Sequence, residues 1–166
     1  MTRLGTVWLG VLLVPVNYYV ATFCLWLGHW FSHLPGSPLR KHHVLSHHRL
    51  YPDSSRCRTS AFRFASGAYD SNRALLPWLL PPAIVYLLAL PTALGVVSCL
   101  ELAVATGVVA WLHIQFHLTH SPVDRWRWFE TARARHAVHH DRDVNFGVGD
   151  HFWDRLFGCF AEAPPS

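Results

Sequence analysis

Two long apolar stretches, separated and followed by polar segments, dominate the pattern of this 166-residue chain. Residues 5–28 are almost uncharged, and residues 75–116 contain Glu101 as their only carboxylate and no Lys or Arg. Because about 20 apolar residues are needed to cross roughly 30 Å of hydrocarbon, the first stretch predicts one membrane span and the second is long enough for two. Pro91 and its neighbours predict a turn at residues 90–92 between those two.

The pattern therefore predicts an all-α integral membrane protein with one domain over residues 1–166. The first stretch is too long for a signal peptide and no small-residue cleavage site follows it, so we expect it to be retained. Pro81 and Pro82 are expected to interrupt the second, short span. The three predicted spans cover about 5–28, 75–90 and 93–116. The predicted helical cap that carries the polar chemistry consists of residues 29–73 and 117–166.

Local signals predict how the cap is organised. The segment 34–38 breaks the first helix, and a short polar helix is expected to carry His42 to His48. Residues 126–140 predict an interfacial helix, because Trp126, Trp128 and Phe129 stand beside arginines. The aromatic tail at 151–160 is expected to pack under the cap or on the membrane surface.

The distribution of basic residues predicts the orientation in the membrane. Of the 14 Lys and Arg, only Arg3 precedes the first stretch, seven lie between it and the second, and six follow the second. The positive-inside rule places both basic segments in the cytoplasm and the amino terminus outside, which suits the inner membrane of a bacterium. No extended stripe of Lys and Arg interleaved with stacking aromatics is present, so the charge does not indicate a nucleic-acid partner. The four cysteines lie far apart and predict neither a disulfide framework nor a thiolate metal site.

Histidines supply the candidate chemistry, because most of the 13 fall into tight groups. Residues at positions i, i+3 and i+4 share one helix face, so each group can direct two or three imidazoles to one point. Imidazole is the commonest protein ligand for iron, zinc and copper. A hydrolytic zinc site needs only three protein ligands, so about ten imidazoles fit two iron ions better. The predicted ligands are His29, His33, His43, His47, His48, His113, His117, His136, His139 and His140.

Other polar residues near these groups can support the ligands. A carboxylate can accept the second ring N–H of a ligand histidine and fix its tautomer. Nearby acids that could do so include Asp53 and Asp143, although a solvated loop position is the better explanation for each acid when it is taken alone. The residues predicted to stand behind the ligands are His42, His120, Asp141, Asp150, His151 and Asp154.

The histidine groups resemble those of the fatty acid hydroxylase/sterol desaturase superfamily of membrane di-iron oxygenases. The motifs are HWFSH at His29–His33, HVLSHH at His43–His48, HIQFH at His113–His117 and HAVHH at His136–His140. The tail DVNFGVGDHFWDRLFG at Asp143–Gly158 is similar to the family's carboxyl-terminal pattern, and HHRLYPDSSR at His47–Arg56 is similar to a segment of fatty acid 2-hydroxylases. The chain departs from the family in having three predicted spans where members commonly have four.

The resemblance implies an oxidoreductase with two iron ions held by the ten histidines and O₂ as co-substrate. It further implies a membrane lipid substrate and a separate redox protein as electron donor. Hydroxylation of a fatty-acyl, sterol-like or carotenoid C–H bond is expected, with lipid desaturation or a non-catalytic membrane metal-binding protein as alternatives. A metal transporter is disfavoured because the predicted spans carry almost no ligands at mid-bilayer. Basic residues such as Arg40, Lys41, Arg133 and Arg135 could contact an acidic donor or a lipid phosphate. Glu101 is expected to be paired or to lie near the outer end of its span.

Overall fold

The computed structural model describes residues 3–63 and 75–164, and within these ranges the chain is helical. The described residues form no strand, apart from one isolated bridge between Thr59 and Leu118. The α-helices are α1 (Arg3–His33), α2 (His48–Leu50), α3 (Leu80–Ala89), α4 (Thr92–Phe116), α5 (Arg127–Asp141) and α6 (Phe152–Leu156). A π-helical turn at His43–His47 leads into α2, and 3₁₀ turns lie at Ser54–Arg56 and Leu76–Leu79. These elements confirm the all-α prediction.

Two helices are long and apolar enough to cross a membrane. They cover Val7–His33, with 27 residues, and Thr92–Phe116, with 25 residues. Both match predicted spans, although α1 continues through His33 and stops where the predicted break at residues 34–38 begins. A helix of that length is about 40 Å long at 1.5 Å per residue, so it can cross the hydrocarbon and still project beyond it.

The predicted span at 75–90 is shorter than a full crossing. It consists of four residues of 3₁₀ helix followed by the ten residues of α3, which together reach about 23 Å. Pro81 and Pro82 do not interrupt α3 as predicted, because they occupy its first positions, where the missing N–H has no intrahelical partner to lose. Leu90 and Pro91 then form the predicted turn with extended backbone. A membrane crossing by residues 75–90 therefore remains a prediction.

Helices α1 and α4 run side by side, and α3 packs on α4. Gly95 permits the close packing of α4 on α3, since a Cβ at this position would lie 2.7 Å from the Tyr86 carbonyl oxygen. Asn17, which is 1% exposed, donates to Glu101 across the α1–α4 contact at 2.5 Å. The expectation that Glu101 is paired is thus met. The carboxyl-terminal turns of α1 and α4 place His29 and His113 on the wall of one cavity.

Helix α5 and the aromatic tail at residues 151–160 form the second part of the cap. Phe129 and Ala132 of α5 are buried in a cluster with Leu112 and Phe116 of α4, whereas Trp126 and Trp128 lie exposed at the amino end of α5. The tail lies along α1, where the α1 rings pack against those of the tail. The ring pairs are Tyr19 with Phe152, Phe23 with Trp153, and Trp26 with Phe157. This packing fixes the loop between α5 and α6 beside the histidines.

Candidate metal centre

All ten histidines predicted as ligands come together in the cap, and nine of them form two neighbouring groups. Within each group the candidate ligand atoms lie within 4.8 Å of one another. The first group consists of His29, His33, His43, His48 and His139. The second group consists of His47, His113, His117 and His136. His140 adjoins the second group, with its Nε2 atom 3.2 Å from Nε2 of His136.

The π-helical turn distributes neighbouring histidines between the two groups. His43 faces the first group and His47 the second, although an α-helix would place residues four apart on one face. The turn is widened by an i→i−5 hydrogen bond from the Leu45 amide to the Arg40 carbonyl, at 3.0 Å. Such π-bulges are frequent at functional sites because they redirect side chains. The other helices supply their histidines from regular i, i+3 and i+4 positions.

Backbone carbonyls accept hydrogen bonds from the outward-facing nitrogens of four of these rings. His29 donates from Nδ1 to the Phe146 carbonyl at 2.6 Å, and His139 donates to the Val144 carbonyl at 2.8 Å. His117 and His140 donate in the same way to the carbonyls of Cys57 and Tyr51, at 2.8 and 2.5 Å. Because a carbonyl oxygen can only accept, each of these rings carries its proton on Nδ1. Their Nε2 atoms therefore present bare lone pairs.

The bare lone pairs face one another, and this arrangement fits a metal ion. Nε2 of His29 and Nε2 of His139 are 2.9 Å apart with no proton available to either. In the second group, Nε2 of His136 lies 3.0 Å from Nε2 of His117 and 3.2 Å from Nε2 of His140. The single proton that Nε2 of His136 can carry could be donated to only one of these two neighbours. Adjacent ligands on one metal ion, at bonds of about 2.1 Å, would have nitrogens about 3.0 Å apart. A cation between these atoms removes the repulsion, so the residues fit the metal pair that the motifs imply.

Two further ring nitrogens also support a metal site. Nε2 of His33 and Nε2 of His47 are buried and have no hydrogen-bond partner among the described residues. Buried polar atoms are almost always satisfied, so these nitrogens fit a role as metal ligands. Burial also lowers the pKa of His117 to about 3 and that of His140 to about 4. The rings are therefore neutral at pH 7, which is the state that binds metal.

Comparison with known protein families identifies the family of this chain. The fatty acid hydroxylase family model matches residues 14–159, a range that includes every clustered histidine and most of the tail. The chain belongs to the fatty acid hydroxylase family. Members of this family are oxidoreductases that use iron, so the resemblance carried by the histidine motifs is confirmed. Comparison with curated proteins and with solved structures gives no match.

Two of the acids near the fatty acid hydroxylase motifs support ligand histidines. Asp143 accepts from Nδ1 of His33 at 2.7 Å, a contact between a 75% exposed carboxylate and a buried ring. Asp154 is fully buried and acts through the loop: it accepts from the Phe146 and Gly147 amides at 2.8 and 2.9 Å. The Phe146–Gly147 peptide thus donates to Asp154 at its N–H and accepts from His29 at its carbonyl. Asp154 thereby fixes the group that orients His29.

The other residues predicted to stand behind the ligands have different contacts. Asp141 accepts from the Ser54 amide, and Asp150 accepts from the Tyr18 hydroxyl at 2.5 Å. His151 is paired with Asp154 at 2.9 Å, so it reaches the ligand His29 only through Asp154 and the Phe146–Gly147 peptide. His120 is exposed, and His42 lies outside both histidine groups. The hydrogen bonds given for Asp141 and Asp150 in the described part of the chain go to groups other than ligand histidines, and their supporting role stays a prediction.

Sequence reasoning placed Asp143 among the nearby acids without selecting it, and it did not identify the carbonyl acceptors. A spacing signal for Asp143 existed, since it follows His139 and His140 by three or four residues. The carbonyls of Tyr51, Cys57, Val144 and Phe146 have no sequence signal, because every residue carries one. Sequence reasoning also did not select Cys57, whose buried thiol forms a third group of candidate ligand atoms with His117 and His140.

An apolar cavity of about 180 Å³ adjoins the centre. His29, His43 and His113 form its wall on the side of the metal-binding groups. Leu25 and Val109, from α1 and α4, line the remainder together with aromatic and small side chains. The cavity therefore places an apolar ligand directly beside the imidazoles.

Proposed function

We propose that this member of the fatty acid hydroxylase family is an integral membrane di-iron oxygenase that hydroxylates a C–H bond of a lipid. The observation that carries the proposal is the convergence of ten imidazoles into two adjacent groups with their bare nitrogens inward. One metal ion accepts at most about six ligands, so ten histidines in two groups support a pair. Iron is proposed rather than zinc because the family uses iron and because a zinc site needs three or four ligands.

The chain's own residues would hold and insulate the reacting centre. The histidines bind the metal ions, while backbone carbonyls and Asp143 keep five of the rings, those of His29, His33, His117, His139 and His140, in the tautomer that binds. The apolar wall of the cavity excludes water and positions the lipid chain. When bound, the iron pair supplies activation of O₂ and oxidation of the C–H bond. The balance for hydroxylation is RH + O₂ + 2 electrons + 2 protons giving ROH + H₂O, and the electrons come from a separate redox protein.

The cavity supports a fatty-acyl or other linear chain as the substrate. Its lining is mostly apolar, which suits a hydrocarbon segment of the substrate. Desaturation is the alternative reaction, because it uses the same electrons and O₂ and removes two hydrogens from the chain.

We further propose that three spans hold the centre at the cytoplasmic face of a bacterial inner membrane. The two spanning helices and the family support membrane association. The basic residues of the two cap segments support the cytoplasmic side.

Lipid mass spectrometry of host cells with and without the protein tests the reaction. A gain of one oxygen atom supports hydroxylation, and loss of two hydrogens supports desaturation. Purified protein should contain close to two irons per chain, and His48→Ala or His139→Ala should reduce turnover to background. Full activity after loss of both histidines would contradict the ligand assignment, and iron-free active protein would contradict the metal.

A further inference from the structure

Several arginines of the cap are already occupied by internal partners. Arg133 is buried and pairs with Asp124 and Glu130. Arg135 pairs with Glu162, at 2.9 Å. Arg40 donates to the His33 carbonyl. The charges of Arg133 and Arg135 are thus neutralised by internal carboxylates, whereas Arg40 keeps its charge because a carbonyl only accepts a hydrogen bond.

A second set of arginines surrounds an open surface pocket. Arg49, Arg56, Arg58 and Arg63 line it, and its volume is about 400 Å³. Arg56 pairs with Asp53, at 2.8 Å from its Nε atom. The ion pairs of the described residues do not include the other three, which are exposed. The pocket thus keeps a concentrated positive charge at the surface.

The wall of this pocket is one residue away from the metal centre. Leu50 and Pro52 line the pocket, and Tyr51 between them is fully buried. The Tyr51 carbonyl accepts from Nδ1 of His140 at 2.5 Å, and its ring stacks on His117 with centroids 4.1 Å apart. A short covalent and hydrogen-bonded path therefore joins the arginine pocket to the second histidine group. The pocket shares no lining residue with the apolar cavity, so both can be occupied together.

We propose that the arginine pocket is the docking site of the electron donor, an acidic one-electron carrier protein. The inference rests on the proposed oxygenase function and adds the place and charge of the partner. Positive charge steers an acidic partner and raises its association rate about 10- to 1,000-fold at low salt. Each docking event oxidises one reduced carrier and passes one electron along the Tyr51–His140 contact. Two such events supply the two electrons of the hydroxylation balance.

Stopped-flow reduction of the purified iron-loaded protein by a reduced acidic [2Fe–2S] ferredoxin tests the proposal. The test variant is Arg49→Glu/Arg58→Glu, which reverses two pocket charges and leaves the Arg56–Asp53 pair intact. The matched control is Arg125→Glu/Arg127→Glu, which reverses the charges of two exposed arginines at and just before the start of α5. We expect the second-order rate to fall at least about tenfold in the test variant at low ionic strength and to change little in the control. Iron content and reduction by dithionite check that both variants are correctly assembled.

Several outcomes would overturn the proposal. One is an equal reduction rate in the test variant and the wild type, and another is a wild-type rate that does not fall as salt rises. A third is that the test variant no longer binds phosphatidylglycerol vesicles but is reduced by the ferredoxin at the wild-type rate. That result would assign the pocket to lipid phosphate. Binding of the ferredoxin to the protein, measured separately by biolayer interferometry, is independent of lipid oxidation. Failure of the oxygenase proposal would therefore leave the docking result readable.

Discussion

Removal of the Asp143 carboxylate should weaken metal binding in one histidine group and leave the other group unchanged. Asp143 accepts from Nδ1 of His33 at 2.7 Å, and it is the carboxylate that directly contacts a ligand histidine within the described part of the chain. This contact makes His33 a stronger ligand by stabilising partial positive charge on the ring when Nε2 binds a cation. Since the Asp143 side chain is 75% exposed, Asp143→Ala leaves no cavity and should not unfold the cap.

The expected magnitude follows from the exposure of this contact. Loss of a hydrogen-bond partner behind a ligand typically costs 10- to 100-fold in metal affinity, and solvent can partly replace an exposed carboxylate. We therefore expect the lower limit, about tenfold, or about 1.4 kcal/mol of binding free energy. Asp141→Ala is the matched control, because Asp141 is also exposed and accepts from the Ser54 amide instead of from a histidine.

Anaerobic competition between the metal-free protein and a chelator measures the affinity for Fe²⁺ at each site. Asp143→Ala should show one site weakened about tenfold and one unchanged, with an unaltered circular dichroism spectrum. Equal affinities in Asp143→Ala and the wild type would refute the role of the carboxylate. An equal loss in Asp141→Ala would show that the effect comes from general charge and not from the contact with His33.

Three further predictions test the topology, the tail and the metal dependence. A single cysteine placed near Pro91 should react with an impermeant thiol reagent added outside the cell, whereas one near Ser54 should not; labelling of both or of the latter alone would contradict the orientation. Gly147→Ala should lower the stability by about 1–3 kcal/mol in thermal unfolding, because its Cβ would lie 2.5 Å from the Asp150 carbonyl oxygen, whereas Gly107→Ala meets nothing within 4 Å. Removal of metal by a chelator should lower the melting temperature, because bare imidazole nitrogens would then face each other unshielded, and an unchanged melting temperature would contradict the metal site.

The helices were predictable because apolar length and proline positions determine them locally. Both spanning helices follow from long apolar stretches, and the turn at Pro91 follows from the fixed backbone of proline. The error at Pro81 and Pro82 arose because proline disrupts a helix interior but suits a helix start. Sequence alone could not locate that start, since the residues before it form a 3₁₀ turn.

The membership of the site was predictable, whereas its division into two groups was not. Regular helical spacing brings His29 with His33 and His136 with His140, whatever the surrounding packing. The separation of His43 from His47 depends on the π-helical turn, which forms through an i→i−5 hydrogen bond. Nothing in the local residue types requires that turn. It is set by the packing of four separate segments around the same centre.

The tail of the fatty acid hydroxylase motif has a physical explanation in this structure. Asn145 adopts a φ of 54°, a left-handed conformation that asparagine tolerates, and its side chain bonds to the carbonyls of Arg135 and Ala161. The Phe146 carbonyl then faces His29, and Gly147 leaves room for Asp154 to reach the peptide between them. Asn145, Gly147 and Asp154 are therefore joined with the Phe146 peptide in one small network, whereas Trp153 donates to Thr22 and packs on Phe23 of α1. The network contains no ligand, yet it fixes a ligand, which explains why a pattern far from the histidines identifies a metal-binding family.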